Sequence, residues 1–163
     1  MKTCIIYHNQ DLDGWMSAAI VKHWYMSDKS NFKIGERKLD GFLDVNSIEF
    51  IGYNYGQPIP DLSEYDKIIM CDISFPKKEM INLYNKFGNR FTWLDHHVSA
   101  INDVASIYVE NEHKSLINLI DGLRGVEYSA CELTWIYFSK SGVEDMPEIV
   151  RLLGRYDCFG SKG

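Results

Sequence analysis

Three short apolar segments, each ending abruptly in polar residues, constrain the fold of this chain more than any other feature. They are TCIIYHNQD, KIIMCDISF and RFTWLDHHV, which begin at positions 3, 67 and 90. Runs of this kind are typical of parallel strands that are buried on both faces and deliver polar side chains at their ends. Helical patterns lie between them, so the sequence predicts an α/β fold with an open, mostly parallel sheet flanked by helices.

Further elements are predicted around these segments from periodicity and capping residues. They are a helix over residues 14–26, a strand over 48–55, a helix from Pro76 to Gly88, a helix over 129–140 and a last amphipathic helix beginning at Pro147. Asp13 is placed to cap the first helix, and Ser129 with Glu132 has the spacing of a capping box. Residues 28–46 are charged and lack a period, which is typical of a long surface excursion.

Length and charge narrow the class of protein. With 163 residues the chain is long enough for one buried core, and we expect a single domain over residues 1–163. The 17 basic and 23 acidic residues give a formal charge of -6, which argues against a broad cationic face for duplex nucleic acid or anionic lipid.

No apolar run is long enough to span a membrane or to form a signal peptide, so we expect a cytoplasmic protein. The 4 cysteines form no CxxC or CxxH pair, which fits neither a disulfide framework nor structural zinc.

Histidine and aspartate side chains gather at the polar ends of the three segments. They are His8, Asp11 and Asp13 after the first, Asp72 after the second, and Asp95, His96 and His97 after the third. Because the carboxyl ends of parallel strands line one crevice, we expect these side chains to converge on one site. Carboxylates mixed with imidazoles suit Mn, Fe or Zn, and gathered aspartates need cations to offset their repulsion. Manganese is our first choice, and two such ions would clamp a phosphoryl group and activate water for phosphoester hydrolysis.

Four motifs in this order resemble the DHH family of phosphoesterases, whose name comes from an Asp-His-His triplet such as the one at residues 95–97. The other three are YHNQDLDG, CDIS and GRYDCF, and SACELTWIYF is similar to the family's helix after the sheet. The resemblance runs from about residue 2 to 160 and includes oligoribonuclease-like and exopolyphosphatase-like members. It implies a Rossmann-like catalytic domain that hydrolyses phosphoesters with two divalent ions, Mn or alternatively Mg, Co or Zn.

The resemblance also implies a role for each site residue. One metal would be held by His8, Asp11 and Asp72, and the other by Asp13, Asp72, His96 and Asp157, so that Asp72 bridges the two. His97 would face the substrate phosphate and Asp95 would orient a neighbouring ligand, which makes these two the predicted catalytic residues.

The expected substrates are phosphodiesters of short single-stranded oligonucleotides, dinucleotides or nucleotide phosphates. Two alternatives stay open: a pyrophosphatase or exopolyphosphatase that uses the same metals, and a non-catalytic nucleotide-binding module that has kept the fold. Members of the family usually carry a second, DHH-associated domain whose glycine-rich and basic residues grip the substrate. Nothing in this sequence matches that domain, so we expect substrate selectivity to depend on a part that is absent here.

Overall fold

A four-stranded parallel sheet forms the centre of the computed structural model, which describes residues 1–27 and 48–157. Its strands are β1 (Thr3–His8), β2 (Ile48–Tyr53), β3 (Lys67–Cys71) and β4 (Phe91–Leu94). They lie in the order β2-β1-β3-β4, and every neighbouring pair is parallel. The predicted α/β fold is confirmed, while the predicted excursion over residues 28–46 lies outside the described residues.

Within residues 1–27 and 48–157 there are five α-helices. They are α1 (Leu12–Ser27), α2 (Lys77–Phe87), α3 (Val98–Ala105), α4 (Ala130–Ser139) and α5 (Glu148–Asp157). Four of them cover the two faces of the sheet, and the last, α5, packs on α1 and α4. Apolar side chains of α2 and α3 pack with Ile6, Met70 and Trp93 on one face, whereas α1 and α4 pack with Ile5 and Ile69 on the other. Because both faces are covered, β1, β3 and β4 are buried almost throughout, which explains their continuous apolar runs, whereas β2 at the edge of the sheet is partly exposed.

The caps of the helices agree only in part with the sequence prediction. Ser129 and Glu132 form the predicted capping box of α4. The prediction that Asp13 caps α1 is wrong, because α1 begins two residues earlier than expected and the Asp11 carboxylate accepts a hydrogen bond from Gly14 N at 2.9 Å. Gly14 is required there, since a Cβ at this position would lie 2.0 Å from the carbonyl oxygen of His8.

Helix α3 and a small antiparallel hairpin, β5 (Tyr108–Val109) and β6 (Lys114–Ser115), were not predicted. Both are short, and α3 depends on burying Ala100 and Val104 against the sheet rather than on a strong pattern of its own. Cys4, Cys71 and Cys131 are buried free thiols, as the cysteine spacing predicts. Within residues 1–27 and 48–157, none of the helices has the length and apolar character needed to cross a membrane.

Candidate metal centre

The predicted site residues converge at the carboxyl edge of the sheet. His8 ends β1, Asp11 and Asp13 lie at the start of α1, Asp72 follows β3, Asp95, His96 and His97 follow β4, and Asp157 ends α5. Three groups among them have ligand atoms within 4.8 Å of one another: His8 with Asp11 and Asp72, Asp13 with His96 and Asp157, and Asp72 with His96 and His97. Residues up to about 150 positions apart in the sequence therefore form one continuous cluster.

Asp72 lies at the centre of this cluster and is fully buried. Its backbone is in the left-handed region, with φ at 59°, a conformation that Asp and Asn tolerate better than most residues. Its amide donates a hydrogen bond to the Leu94 carbonyl at 2.9 Å, which ties the end of β3 to β4. The nearest polar neighbours of its two carboxylate oxygens are the imidazoles of His8, at 3.6 Å, and His96, at 3.3 Å, so the Asp72 carboxylate is balanced by the cationic or metal-binding side of these rings.

The first group combines the ends of β1 and β3. His8 Nδ1 lies 2.6 Å from Asp11 Oδ2 and 3.6 Å from Asp72 Oδ2. On its other side, His8 Nε2 is 3.3 Å from Asn54 Oδ1, which follows β2 and fixes the orientation of the ring. The Nδ1 atom of His8 therefore points at the two carboxylates.

The second group surrounds His96, whose Nε2 atom lies among three carboxylates. It is 3.3 Å from Asp72 Oδ1, 3.3 Å from Asp157 Oδ2 and 3.6 Å from Asp13 Oδ2. Asp13 is buried and accepts hydrogen bonds from Ala130 N at 2.8 Å and Cys131 N at 2.7 Å, the first amides of α4. These two bonds hold the Asp13 carboxylate at the N-terminus of α4, where the helix dipole stabilises its negative charge.

Helix α5 brings Asp157 to the second group by packing closely on the start of α4. Gly154 is buried, and a Cβ at this position would lie 2.7 Å from Ser129 Oγ and 2.7 Å from Glu132 Cδ. These are the side chains of the capping box of α4, which cannot move away without losing their own hydrogen bonds. Glycine at 154 therefore allows the approach that places Asp157, one turn later, beside His96.

Asp95 is fully buried and acts on His97 rather than on the centre of the cluster. Its Oδ1 atom accepts a hydrogen bond from His97 Nδ1 at 2.7 Å and from the amides of His96 at 2.8 Å and His97 at 3.2 Å. This contact raises the pKa of His97, against the opposing effect of burial. Asp95 therefore fixes both the position and the charge of the His97 ring.

The charged side chains of the cluster strongly shift one another's pKa values. The hydrogen bond with Asp72 raises the pKa of His8 to about 9 despite burial. Burial lowers the pKa of His96, yet the bond to Asp72 and the charges of Asp13 and Asp157 outweigh it and bring the value to about 9. Burial raises the pKa of Asp72 to about 6 although both histidines oppose the change, and burial with the Asp13 charge also raises that of Asp157.

The cluster fits divalent metal ions by its own geometry. The ring nitrogens of His8 and His96 face carboxylate oxygens, so a metal ion bound between them would replace the proton of each imidazole. The buried oxygens of Asp72 have no hydrogen-bond partner other than these two rings among the described residues. The donors are carboxylate oxygens and imidazole nitrogens without thiolates, a set that suits Mn, Fe or Zn. Seven residues, sharing Asp72 and His96 between groups, offer ligand atoms for more than one ion.

Comparison with known families agrees with the observed fold. Residues 2–153 match the DHH family, N-terminal domain. The chain belongs to the DHH family. Membership indicates a hydrolase that acts on phosphoesters with divalent metal ions. The match ends before Asp157, so the place of this residue in the site depends on the geometry of α5 alone. Comparisons with curated proteins and with solved structures give no match.

Three contributors to this DHH site were missed in the sequence. Asn54 orients His8, the first amides of α4 hold Asp13, and Gly154 admits α5. Asn54 directly follows a strand, as several other site residues do, and this position in the sequence could have identified it as a candidate site residue. The contacts of α4 and α5 join segments far apart in sequence, so no local pattern identifies them.

Proposed function

We propose that this chain is a two-metal phosphodiesterase that hydrolyses short single-stranded oligonucleotides, dinucleotides or nucleotide phosphates. The observation that carries the proposal is the cluster of overlapping donor groups around the buried carboxylate of Asp72. A non-catalytic nucleotide-binding module would have no use for so many mutually repelling groups in one buried place.

The donor groups divide between two ions. His8, Asp11 and Asp72 would hold one, and Asp13, His96 and Asp157 with Asp72 would hold the other. When bound, such ions lower the pKa of a water molecule and neutralise charge on the phosphoryl oxygens. Manganese is the ion we propose, on the chemistry of the donors.

In this proposal His97 binds the substrate phosphate directly. Its Nδ1 atom is committed to Asp95, so its Nε2 atom is the one available to a phosphoryl oxygen. Because Asp95 raises the pKa of His97, the ring keeps a proton on both nitrogens over a wider pH range and donates a hydrogen bond to the oxygen. This bond strengthens as charge develops on the phosphoryl group during hydrolysis.

The proposal is tested by loading the purified chain with Mn²⁺ and measuring hydrolysis of a dinucleotide, inorganic pyrophosphate and polyphosphate. We expect Mn-dependent cleavage of the dinucleotide, and His97→Asn should lower kcat by roughly 100-fold. Asn is suited to the helix N-cap position that His97 occupies, so the fold should be kept. His23→Asn changes an exposed histidine of α1 outside the site and serves as the matched control.

Three results would contradict the proposal. Failure of the chain to bind Mn²⁺ at any pH up to about 9, where His8 and His96 lose their protons, would remove the metal centre. Metal binding without turnover of any of the three substrates would favour the non-catalytic module instead. Turnover of pyrophosphate or polyphosphate alone would favour the phosphoanhydride alternative.

A further inference from the structure

A cavity of about 430 Å³ opens beside His97. Its walls are the loop that follows β2, the segment between β3 and α2, and the first turn of α3. The volume falls within the range of about 300 to 1,000 Å³ that is usual for small-molecule sites. His97 forms part of the wall, so the cavity is continuous with the candidate metal centre.

Three aromatic side chains, Tyr53, Tyr55 and Phe75, form part of the cavity wall. Tyr53 and Phe75 pack edge to face with their centroids 4.9 Å apart and form a fixed part of the wall. Tyr55 is different, because it remains 49% exposed although it lies next to buried polar residues. A large ring left accessible at the edge of such a cavity is available to stack on a flat ligand.

The charges of the cavity exclude a second phosphate group as its ligand. None of the described residues that line it is Lys or Arg. Asp103 is the one acidic residue among them, and its Oδ1 atom lies 3.1 Å from Lys77 Nζ. His97, at one edge of the cavity, is assigned to the phosphate that is cleaved, so a further phosphate group would find no basic side chain in the cavity, whereas an uncharged aromatic group would gain apolar contact.

Tyr55 connects the cavity to the metal centre. Its ring centroid lies 5.8 Å from that of His8 and 6.2 Å from that of His97. A group stacked on Tyr55 is therefore within one nucleotide's reach of a phosphate at His97. We propose that this cavity binds the nucleobase of the nucleotide whose phosphoester is cleaved, with Tyr55 as the stacking residue. This inference rests on the proposed function and commits the site to nucleotides rather than inorganic phosphoanhydrides.

The first test measures binding of adenosine, which carries the base but no phosphate, to the whole chain without metal. Ligand-observed NMR should detect weak binding to the wild type. Ser99→Phe fills the cavity from an exposed position of α3, and Tyr55→Ala removes the stacking ring. Each should raise the Kd for adenosine about tenfold, while Tyr55→Phe, which keeps the ring, should change it less than about twofold. The matched control Asn102→Phe adds a ring at an exposed position of α3 outside the cavity and should leave the Kd unchanged.

The second test uses the Mn-loaded chain with a dinucleotide. Ser99→Phe should raise KM for the dinucleotide about tenfold and leave kcat within about twofold of the wild-type value. Adenosine binding that neither Ser99→Phe nor Tyr55→Ala weakens, or no adenosine binding at all, would overturn the cavity proposal. Adenosine binding that follows the expected pattern, in a chain that hydrolyses no phosphoester, would support the cavity and overturn the proposed function.

Discussion

The two sides of the metal centre are held in place by different kinds of contact. On the strand side, His8, Asp72 and His96 follow β1, β3 and β4, which are hydrogen-bonded in register and buried. On the helix side, Asp13 depends on the amides of α4, and Asp157 depends on the packing of α5. Strand register fixes a residue through many backbone bonds at once, whereas the helix side depends on a few contacts between distant segments.

Helix α5, which carries Asp157, makes few contacts with the core. Ile149, Leu152 and Tyr156 of this helix are 55%, 51% and 80% exposed, so only one face of α5 contributes to the core. Val150 and Gly154 are the residues of α5 that are buried. We call the ion assigned to His8, Asp11 and Asp72 the strand-side ion, and the ion assigned to Asp13, His96 and Asp157 with Asp72 the helix-side ion. We therefore expect that some substitutions release the helix-side ion and leave the strand-side ion bound, while the reverse should not occur.

The largest effect is expected from Asp72→Asn, because Asp72 belongs to both sides. The substitution should abolish binding of both Mn²⁺ ions and lower activity by roughly 1,000-fold or more. Asn tolerates the positive φ of this position, so the backbone should keep its path. The melting temperature of the metal-free protein at pH 7 should fall, since the carboxylate that raises the pKa of His8 and His96 is removed.

Mn²⁺ titration followed by electron paramagnetic resonance measures the loss of the ions, and thermal unfolding measures the stability. Asp145→Asn changes an exposed aspartate outside the centre and is the matched control. Retention of either ion with full occupancy in Asp72→Asn would show that the two sides are independent and that Asp72 does not bridge them.

The next effect separates the two sides. In Gly154→Ala the new Cβ would meet Ser129 and Glu132, so α5 should move away from α4 and carry Asp157 from His96. The helix-side ion should bind up to about 100-fold more weakly, while the strand-side ion keeps its affinity. Competition titrations with a metal indicator resolve the two affinities.

Gly125→Ala is the control for this substitution, because a Cβ at 125 would meet no atom within 4 Å. Equal weakening of both ions in Gly154→Ala would show that α5 supports the whole centre. Unchanged binding of both would show that the approach of α5 to α4 does not position a ligand.

The difference between the two sides also explains what the sequence could predict. The strand-side residues stand at the ends of apolar runs, so local pattern and the geometry of parallel sheets were enough to bring His8, Asp72 and His96 together. The order of the strands was not predicted, because pairing of β2 beside β1 is decided by contacts between distant segments.

The helix side was predicted less well. Asp13 was assigned to cap α1, the helix adjacent in sequence, but its carboxylate accepts hydrogen bonds from α4, more than 100 residues away. Asp11 was named as a ligand, and its second role as the cap of α1 was missed. Capping between distant segments leaves no signature at the local spacing, and only the packed structure reveals it.

A smaller effect is expected from Asp95→Asn. Asp95 is not one of the proposed metal ligands, and its contacts with the centre are hydrogen bonds from His96 and His97. Removal of the charge should lower the pKa of His97 toward its ordinary value and reduce kcat about 30-fold, while both Mn²⁺ affinities stay within about threefold. NMR titration of the His97 ring measures the pKa, and Asp145→Asn again serves as the control. A fall in metal affinity as large as the fall in kcat would place Asp95 in the metal centre rather than behind His97.

The pH dependence of metal binding gives the finest comparison of the two sides. His8 and His96 must lose a proton to bind an ion, and their pKa values are both about 9, so each ion displaces about one proton at pH 7. Each affinity should rise about tenfold per pH unit between pH 7 and 8 and level off above about 9. Calorimetry in buffers of different ionisation enthalpy counts the protons released.

Below neutral pH the two ions should be released at different pH values. Protonation of Asp72, with its pKa of about 6, weakens both ions together as pH falls. Asp157 belongs to the helix side alone, and because burial and the Asp13 charge raise its pKa, it takes up its proton at a higher pH than an ordinary aspartate does. The helix-side ion should therefore be released first as the pH is lowered from 7 to 5, and Asp157→Asn should lower its affinity at pH 7 and reduce the extra acid sensitivity. Simultaneous release of both ions across this range would mean that Asp157 is no ligand and that the helix side ends at Asp13.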